Sequence, residues 1–505
     1  MRKIIHKILF LLILVPLNIQ AQDFSRLWRS HFSYRQIIDV TKSDTNIYAA
    51  SENAVFSYEE TTSEITTITT VEGLSAEQIS TIEYIPNYQM LLVGYTSGLM
   101  AIYDELENDI ITIVDIIDKQ TIPPNLKRIN DFYENDGLVY IATDYGISVY
   151  DLDRLEFGDS YFIGNSGAQI KVNKTAIFNN QIYAACANGN GIKKADLNNP
   201  NLIDFMQWST VFNGSFFAIE NTENKLFAIE TNGNLSEIIN DNLSLQLNLD
   251  NNFRASDVDN NLIIITNSDK ARIFNESLIL QTEWNPNSDH NTNFSCAITL
   301  DNHIYIGTTT LGVLSSLINT VAPYTTIIPD GPLRNNAFKT EVSNGQLWLS
   351  YGVYDQFYDP GVGNERGLSK FSDEQWVNIP YDSLLGARDL NYIKVNPLNP
   401  SQVFVSSYQD GLLEIENNVP NILLNQTNSG LESLVLPGAP NFTSLRISGS
   451  TFDRAGHLWV MNSRIERPLK KYDPINNSWQ SFSFANILSD PLNSEFGYGD
   501  IEVDF

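Results

Sequence analysis

The stretch Asn46-Ile47-Tyr48-Ala49-Ala50-Ser51 (NIYAAS) decides the fold, because variants of it return nine times along the chain. They are MLLVGY from Met90, LVYIAT from Leu138, QIYAAC from Gln181, KLFAIE from Lys225, NLIIIT from Asn261, HIYIGT from His303, QLWLSY from Gln346, QVFVSS from Gln402 and HLWVMN from His457. The apolar second position gives anchors at Ile47, Leu91, Val139, Ile182, Leu226, Leu262, Ile304, Leu347, Val403 and Leu458, spaced by 44, 48, 43, 44, 36, 42, 43, 56 and 55 residues. Short β-rich units recurring every 40–45 residues or so are the signature of propeller blades.

Each unit has the same internal order. An apolar strand leads through a turn into the anchor strand. A second turn follows, usually with glycine: Gly98, Gly146, Gly191, Gly233, Gly312, Gly367 and Gly411. Glycine suits a hairpin that needs positive φ. A third strand ends near Tyr58, Tyr103, Tyr150, Phe274, Phe371 or Tyr472, and a weaker fourth follows, as in Glu64–Thr69 and Ser478–Phe482. Small and β-branched anchor residues fit a sheet buried on both faces, and no long helical periodicity follows the first segment.

Seven evenly spaced anchors run from Ile47 to Ile304, and Pro323, Pro329 and Pro332 then punctuate the chain. The later spacings lengthen because an insertion, Tyr351 to Gly367, enlarges the eighth unit. The expectation is an all-β chain: a seven-bladed β-propeller of four-stranded antiparallel blades over residues 22–322, then an incomplete second β-propeller over 323–505. The second holds three blades, and Gly499–Asp504 reads as the start of a fourth. Three blades cannot close a ring, so the sequence reads as a truncated product or a fragment.

Arg2, Lys3 and Lys7 precede an apolar run from Ile8 to Leu17, and Ala21 sits at a cleavage position. Residues 1–21 therefore read as a signal peptide, too short to span a bilayer, and no later segment is long and apolar enough to do so. No cysteine follows the run, which argues against a lipoprotein anchor. The expected location is periplasmic or cell-surface, peripheral to the outer membrane. The 505-residue chain carries 31 Lys+Arg against 60 Asp+Glu, a net −29, and loss of the leader leaves 28 against 60, a net −32. Such a field repels phosphate backbones, so nucleic acid is excluded as a partner. Two cysteines and five histidines leave no disulfide scaffold and little material for a metal site. The nine Asn-x-Ser/Thr sequons, among them Asn173 and Asn441, are expected by chance in so Asn-rich a chain.

Val71–Ile82 (VEGLSAEQISTI), Phe452–Val460 (FDRAGHLWV) and Ser343–Gly352 (SNGQLWLSYG) resemble the two-component-regulator propeller repeat. Its D-x-x-G-x-LW core falls on Asp453, Gly456, Leu458 and Trp459. Nearly the whole mature chain also resembles the PorZ family, β-propeller proteins of the type IX (Por) secretion system of Bacteroidetes. That likeness rests on Leu27–Tyr34 (LWRSHFSY), Ile47–Tyr58 (IYAASENAVFSY), Thr143–Ile170 and the order of the two arrays. The resemblance implies two seven-bladed propellers and a C-terminal sorting domain, the last not present in this sequence. It implies a non-enzymatic part of the outer-membrane attachment complex, partnered by other attachment-complex proteins. That complex removes sorting domains from cargo and links the cargo to anionic lipopolysaccharide. The competing expectation is a periplasmic glycan-sensing module of a hybrid two-component sensor.

Candidate sites are few, and no cofactor is expected. Cys186 and Cys296 fall in blades that are not neighbours and read as buried free thiols. Gly164-Asn165-Ser166-Gly167 looks like a serine-protease nucleophile loop or a connecting turn, with no positioned His or Asp partner. Phe452–Trp459 is close to a sialidase Asp-box, itself a structural hairpin. Paired carboxylates converging from blade to blade, which a propeller hydrolase would need, are not visible. Asp355 and Asp359 are either calcium ligands or solvated loop acids. Ser463–Lys471 (SRIERPLKK) gathers Arg464, Arg467, Lys470 and Lys471. It reads either as a contact for an anionic glycan or acidic partner, or as a hairpin tip covering the blade with its lysine stems. Tyr351, Tyr354, Phe357 and Tyr358 on the insertion either stack on sugar rings or pack the loop.

Overall fold

The computed structural model describes residues 28–250, 252–318, 323–352, 355, 363–436, 438–439, 441–490, 492 and 501–504. Ten four-stranded antiparallel sheets follow one another, each a meander with its strands in chain order. Blades 1 to 10 span residues 37–68, 79–113, 129–161, 172–212, 216–248, 253–284, 294–327, 339–379, 390–424 and 447–482. Every anchor segment forms the second strand of its sheet, for example Asn46–Ser51, Met90–Tyr95 and Gln181–Cys186.

Strand alternation explains the small and β-branched composition. Along Gln181–Cys186, Ile182, Ala184 and Cys186 pack towards blade 3, and Tyr183 and Ala185 towards blade 5. Both faces are buried, so no polar side chain fits in the middle of the strand. A large apolar side chain such as Ile182 contributes about 1.5–3 kcal/mol on burial. Seven apolar layers arise in this way around the first array. The seventh joins Cys296, Ile298 and Tyr305 of blade 7 to Ile37, Val40 and Ala49 of blade 1, so the array is a closed ring. Two further layers join blades 8, 9 and 10. The outer face of blade 8 packs Tyr351 and Trp376 under Leu333, and the His31 ring lies tilted against Phe371 with centroids 4.6 Å apart.

The first strand of each blade lines the ring axis, and all seven pair irregularly with the anchor strand. A bulge bends the strand and re-aims its side chains. The freed polar groups clasp the next blade. Thr81 Oγ1 donates to Asp39 at 2.8 Å, Ser80 Oγ to the Ile129 carbonyl at 2.7 Å, and Asn130 Nδ2 to the Val172 carbonyl at 2.8 Å. Asn173 Nδ2 donates to the Phe216 carbonyl at 2.8 Å, and Ser256 Oγ to Glu220 at 2.6 Å. Thr299 Oγ1 donates to Asp259, and Lys42 Nζ closes the ring on the Thr299 carbonyl at 2.7 Å. The sequon at Asn173 thus uses its amide in a clasp.

Two expectations need correction. The fourth strand of blade 7 is Thr325–Ile327, paired with Val313–Leu317, so a break after residue 322 falls inside that sheet. Three residues between two prolines are too short to show a strand pattern. Gly367 does not adopt positive φ, unlike the other six turn glycines. It is glycine for space, since a Cβ would lie 2.4 Å from both the Ile379 carbonyl oxygen and Leu333. The leader lies outside the described residues, as does the start of Gly499–Asp504, of which Ile501–Asp504 are irregular.

We propose that the first ring is an independent domain ending after Ile327. A fragment of residues 22–330 is expected to resist limited proteolysis as one band and to be monomeric. A fragment stopping at 322 loses buried Ile327 from the closing layer and is expected to melt several degrees lower. Equal midpoints for the two would contradict this boundary.

Candidate functional site

The Ser463–Lys471 segment is split by the strand it belongs to. Its turn, residues 463–468, joins Leu458–Asn462 to Leu469–Asp473, so Lys470 and Lys471 are strand residues. Neighbours on a strand point to opposite faces. Lys470 is fully buried, with Nζ paired to Glu432 and donating to Ser481 Oγ at 3.0 Å. Lys471 Nζ lies 5.6 Å over the Trp459 ring, a cation–π contact. Arg464, at φ +61°, and Arg467 stay on the turn, and among the described residues neither forms an ion pair. The structure therefore keeps two of the four cations at the surface turn. Tyr354 and Tyr358, with Phe357 and Asp359, lie outside the described residues, and Tyr351 is buried with its hydroxyl 2.7 Å from Ser369 Oγ. No carboxylate, histidine or cysteine cluster fit for a metal occurs among the described residues.

The other motifs are structural. Asp453 accepts from the backbone N–H groups of Ala455 and His457 and from Trp459 Nε1, at 2.9, 3.0 and 2.9 Å. Burial works against its charge, but the Trp459 and His457 hydrogen bonds hold its carboxyl down to about 2. Gly456 supplies the φ of +84° that the turn requires. Ser166 sits on a tight turn at φ +58°, with no histidine or carboxylate partner among the described residues. Cys186 and Cys296 are buried and free, and burial pushes the Cys186 thiol up to about 12.

Carboxylates do converge from blade to blade, contrary to the sequence expectation. Asp39, Glu83, Asp131, Glu220 and Asp257, on the inner strands of blades 1, 2, 3, 5 and 6, face Lys174 of blade 4. Lys174 Nζ lies 2.7 Å from Glu220 Oε1, 3.7 Å from Asp131 Oδ1 and 3.0 Å from the Ser256 carbonyl. Burial opposes its charge, yet Glu220, Asp131 and Asp257 hold the ammonium well above its ordinary range. One cation cannot balance five acids. Burial pushes Asp131 and Asp257 up to about 7 against the pull of Lys174, and burial with Asp257 pushes Glu83 well up. The signal was present in the sequence: these residues recur at the blade spacing, each inside the first strand of its unit.

This cluster is expected to make the stability of the ring depend on pH. A carboxyl whose folded value is raised stabilises the fold in its protonated form, so that stability is complete below about 4 and is lost as pH rises through about 7. The melting midpoint is expected to be higher at pH 5.5 than at pH 8, and Asp257→Asn should flatten that difference. Lys174→Met should lower the midpoint at pH 8 by far more than at pH 5.5. A midpoint that rises from pH 5.5 to 8 would contradict the assignment.

Residues 47–209 match the family model described as the N-terminal β-propeller domain of PorZ, of the type IX secretion system. No curated protein matches the chain. The solved structure of PorZ from Porphyromonas gingivalis, described as an essential bacterial surface component of the type IX secretion system, superposes with a TM-score of 0.77 at 17% identity. The match covers 91% of this chain and 60% of the PorZ chain, so this chain spans under two thirds of that protein. An extracellular domain described as part of a hybrid two-component system from B. thetaiotaomicron gives a TM-score of 0.45 at 12% identity, over 90% of this chain and 65% of its own, too low to carry an argument. From the second strand of blade 1 to the last strand of blade 4, then, the closed ring matches the N-terminal propeller domain of PorZ.

Proposed function

We propose that this protein is a non-enzymatic scaffold of the type IX secretion apparatus, held peripherally at the outer membrane and facing the periplasm or cell surface. The observation that carries the reading is the match of residues 47–209 to the PorZ propeller domain on a ring that closes with seven blades. A ring clasped at every junction presents its connecting loops on a rigid frame, which suits simultaneous binding of several partners. Within the reading, the protein works with other attachment-complex proteins as cargo is matured and joined to anionic lipopolysaccharide. Arg464 and Arg467 on the turn of blade 10 are surface cations for an anionic glycan or an acidic partner, with Tyr354 and Tyr358 of the insertion as aromatic contacts. The glycan-sensor alternative has a structural neighbour and no feature that favours it over this reading.

Deletion of the gene in its source bacterium tests the proposal. The expected result is loss of type IX cargo from the surface, with cargo retaining its sorting domain inside the cell, restored by the gene in trans. Normal cargo maturation in the deletion strain would overturn it. Purified protein is expected to show no hydrolysis of glycosidic, peptide or phosphate bonds. Turnover abolished by a single carboxylate or serine substitution would contradict the non-enzymatic assignment.

A further inference from the structure

A hairpin with an uncharged tip stands out from the connection between blades 9 and 10. Residues 433–445 (SLVLPGAPNFTSL) carry no charged side chain, in a chain with 31 Lys+Arg and 60 Asp+Glu. The base of the hairpin is fixed. Leu431, Leu434 and Leu445 are buried, Leu445 N donates to the Gln409 carbonyl at 3.0 Å, and Arg446 N to the Tyr408 carbonyl at 3.2 Å. Leu434 N donates to the Ser444 carbonyl at 3.0 Å and Ser444 N to Ser433 Oγ at 2.9 Å, which ties the two legs together. Beyond that tie the apolar side chains are left uncovered: Val435 is 84% exposed and Phe442 44%. A Cβ on Gly438 would meet nothing within 4 Å.

Two features set this tip apart from an ordinary surface loop, which leaves its backbone polar groups to water. First, Leu434, Ala439, Phe442 and Ser444 spend their backbone N–H groups within the hairpin, Ala439 on the Leu436 carbonyl at 3.1 Å and Phe442 on the Ala439 carbonyl at 3.0 Å. Pro437 and Pro440 have no N–H to satisfy. Backbone groups that are already paired are what an apolar medium demands. Second, the charge beside the hairpin is cationic. The turn of residues 463–468 leaves blade 10 next to it, with Ser463 N donating to the Arg446 carbonyl at 3.0 Å and Glu432 N to Asn462 Oδ1 at 2.8 Å. That turn carries Arg464 and Arg467 against one acid, Glu466, and Glu432 at the foot of the hairpin is paired to Lys470. An apolar tip with cations at its shoulder matches the order of a lipid surface, acyl chains inside and phosphates outside. We propose that residues 433–445 form a wedge that seats in the interface of a phospholipid bilayer, with Val435 and Phe442 among the acyl chains and Arg464 and Arg467 at the headgroup phosphates. The inference rests on the proposed peripheral location for where that bilayer is met, and on the hairpin alone for the contact.

Flotation of the purified protein with vesicles tests it, one set of phosphatidylcholine alone and one of phosphatidylethanolamine with phosphatidylglycerol. The protein is expected to bind both, more tightly to the anionic set, with that preference fading as salt rises. Val435→Asp with Phe442→Asp should weaken binding to both sets by about tenfold or more and leave the melting midpoint unchanged, since the tip is exposed. Arg464→Glu with Arg467→Glu should remove the preference for the anionic set and spare binding to phosphatidylcholine. An environment-sensitive dye on Val435→Cys, directed there because Cys186 and Cys296 are buried, should shift to the blue on vesicles and be quenched by brominated acyl chains. Absence of binding to both sets, or unchanged binding in the Val435 and Phe442 double variant, would overturn the wedge. So would full displacement from phosphatidylcholine by dextran sulfate, which has no acyl chains. A vesicle-free dimer lost in the same double variant would assign the tip to a second copy and overturn it too. Hairpin-dependent vesicle binding in a protein whose deletion leaves cargo maturation normal would uphold the wedge and overturn the secretion reading. Loss of cargo maturation on deletion, without vesicle binding, would overturn the wedge and leave that reading standing.

Discussion

The closure of blade 7 on blade 1 is the contact on which the first array depends. A sheet with two apolar faces has no stable exposed state, and a row of such sheets buries both faces of every member only by returning to its start. The return is tight. A Cβ on Gly307 would lie 2.4 Å from Cys296 Sγ and 2.8 Å from Ile37 Cγ2, so the residue opposite blade 1 has to be glycine. Lys42 then reaches across the seam to the Thr299 carbonyl and to Asp259, each at 2.7 Å. Closure also decides the axis. Seven bulged inner strands crowd their polar side chains together; Lys174 stands among the acids that result, and burial pushes the carboxyls of Asp131, Asp257 and Glu83 up, towards the neutral form.

The blades were legible because their anchor strands must be apolar on both faces, and this leaves an unbroken pattern wherever the rule holds. Ile182 and Tyr183 serve different interfaces yet obey the same constraint. Legibility failed where geometry rather than composition decides. Thr325–Ile327 is a strand only because Val313–Leu317 offers it an edge. Lys470 looks like a surface cation until the alternation of Leu469–Asp473 turns it inward to Glu432. The axial acids were hidden in plain view: each is an ordinary polar residue in its own blade, and they become one cluster only when the ring brings them together. The juxtaposition of Arg35 and Arg366 was beyond sequence reasoning altogether, since the whole first ring lies between them in the chain.

For function, the contrast between global and local charge matters most. A net charge of −29 keeps the molecule away from polyanions at long range, but at physiological salt that repulsion fades beyond about 8 Å. Within that distance local charge outweighs net charge. Arg464 and Arg467 stand on the turn between the second and third strands of blade 10, in an otherwise acidic chain.

The central claim is that this frame works within a type IX secretion assembly. Chemical cross-linking of the tagged protein in intact cells, followed by outer-membrane fractionation and mass spectrometry, tests it most directly. The account predicts recovery in the outer-membrane fraction, with cross-links to proteins that process or anchor secreted cargo. Recovery as a free periplasmic protein, or with cross-links only to a membrane-bound kinase, would contradict it.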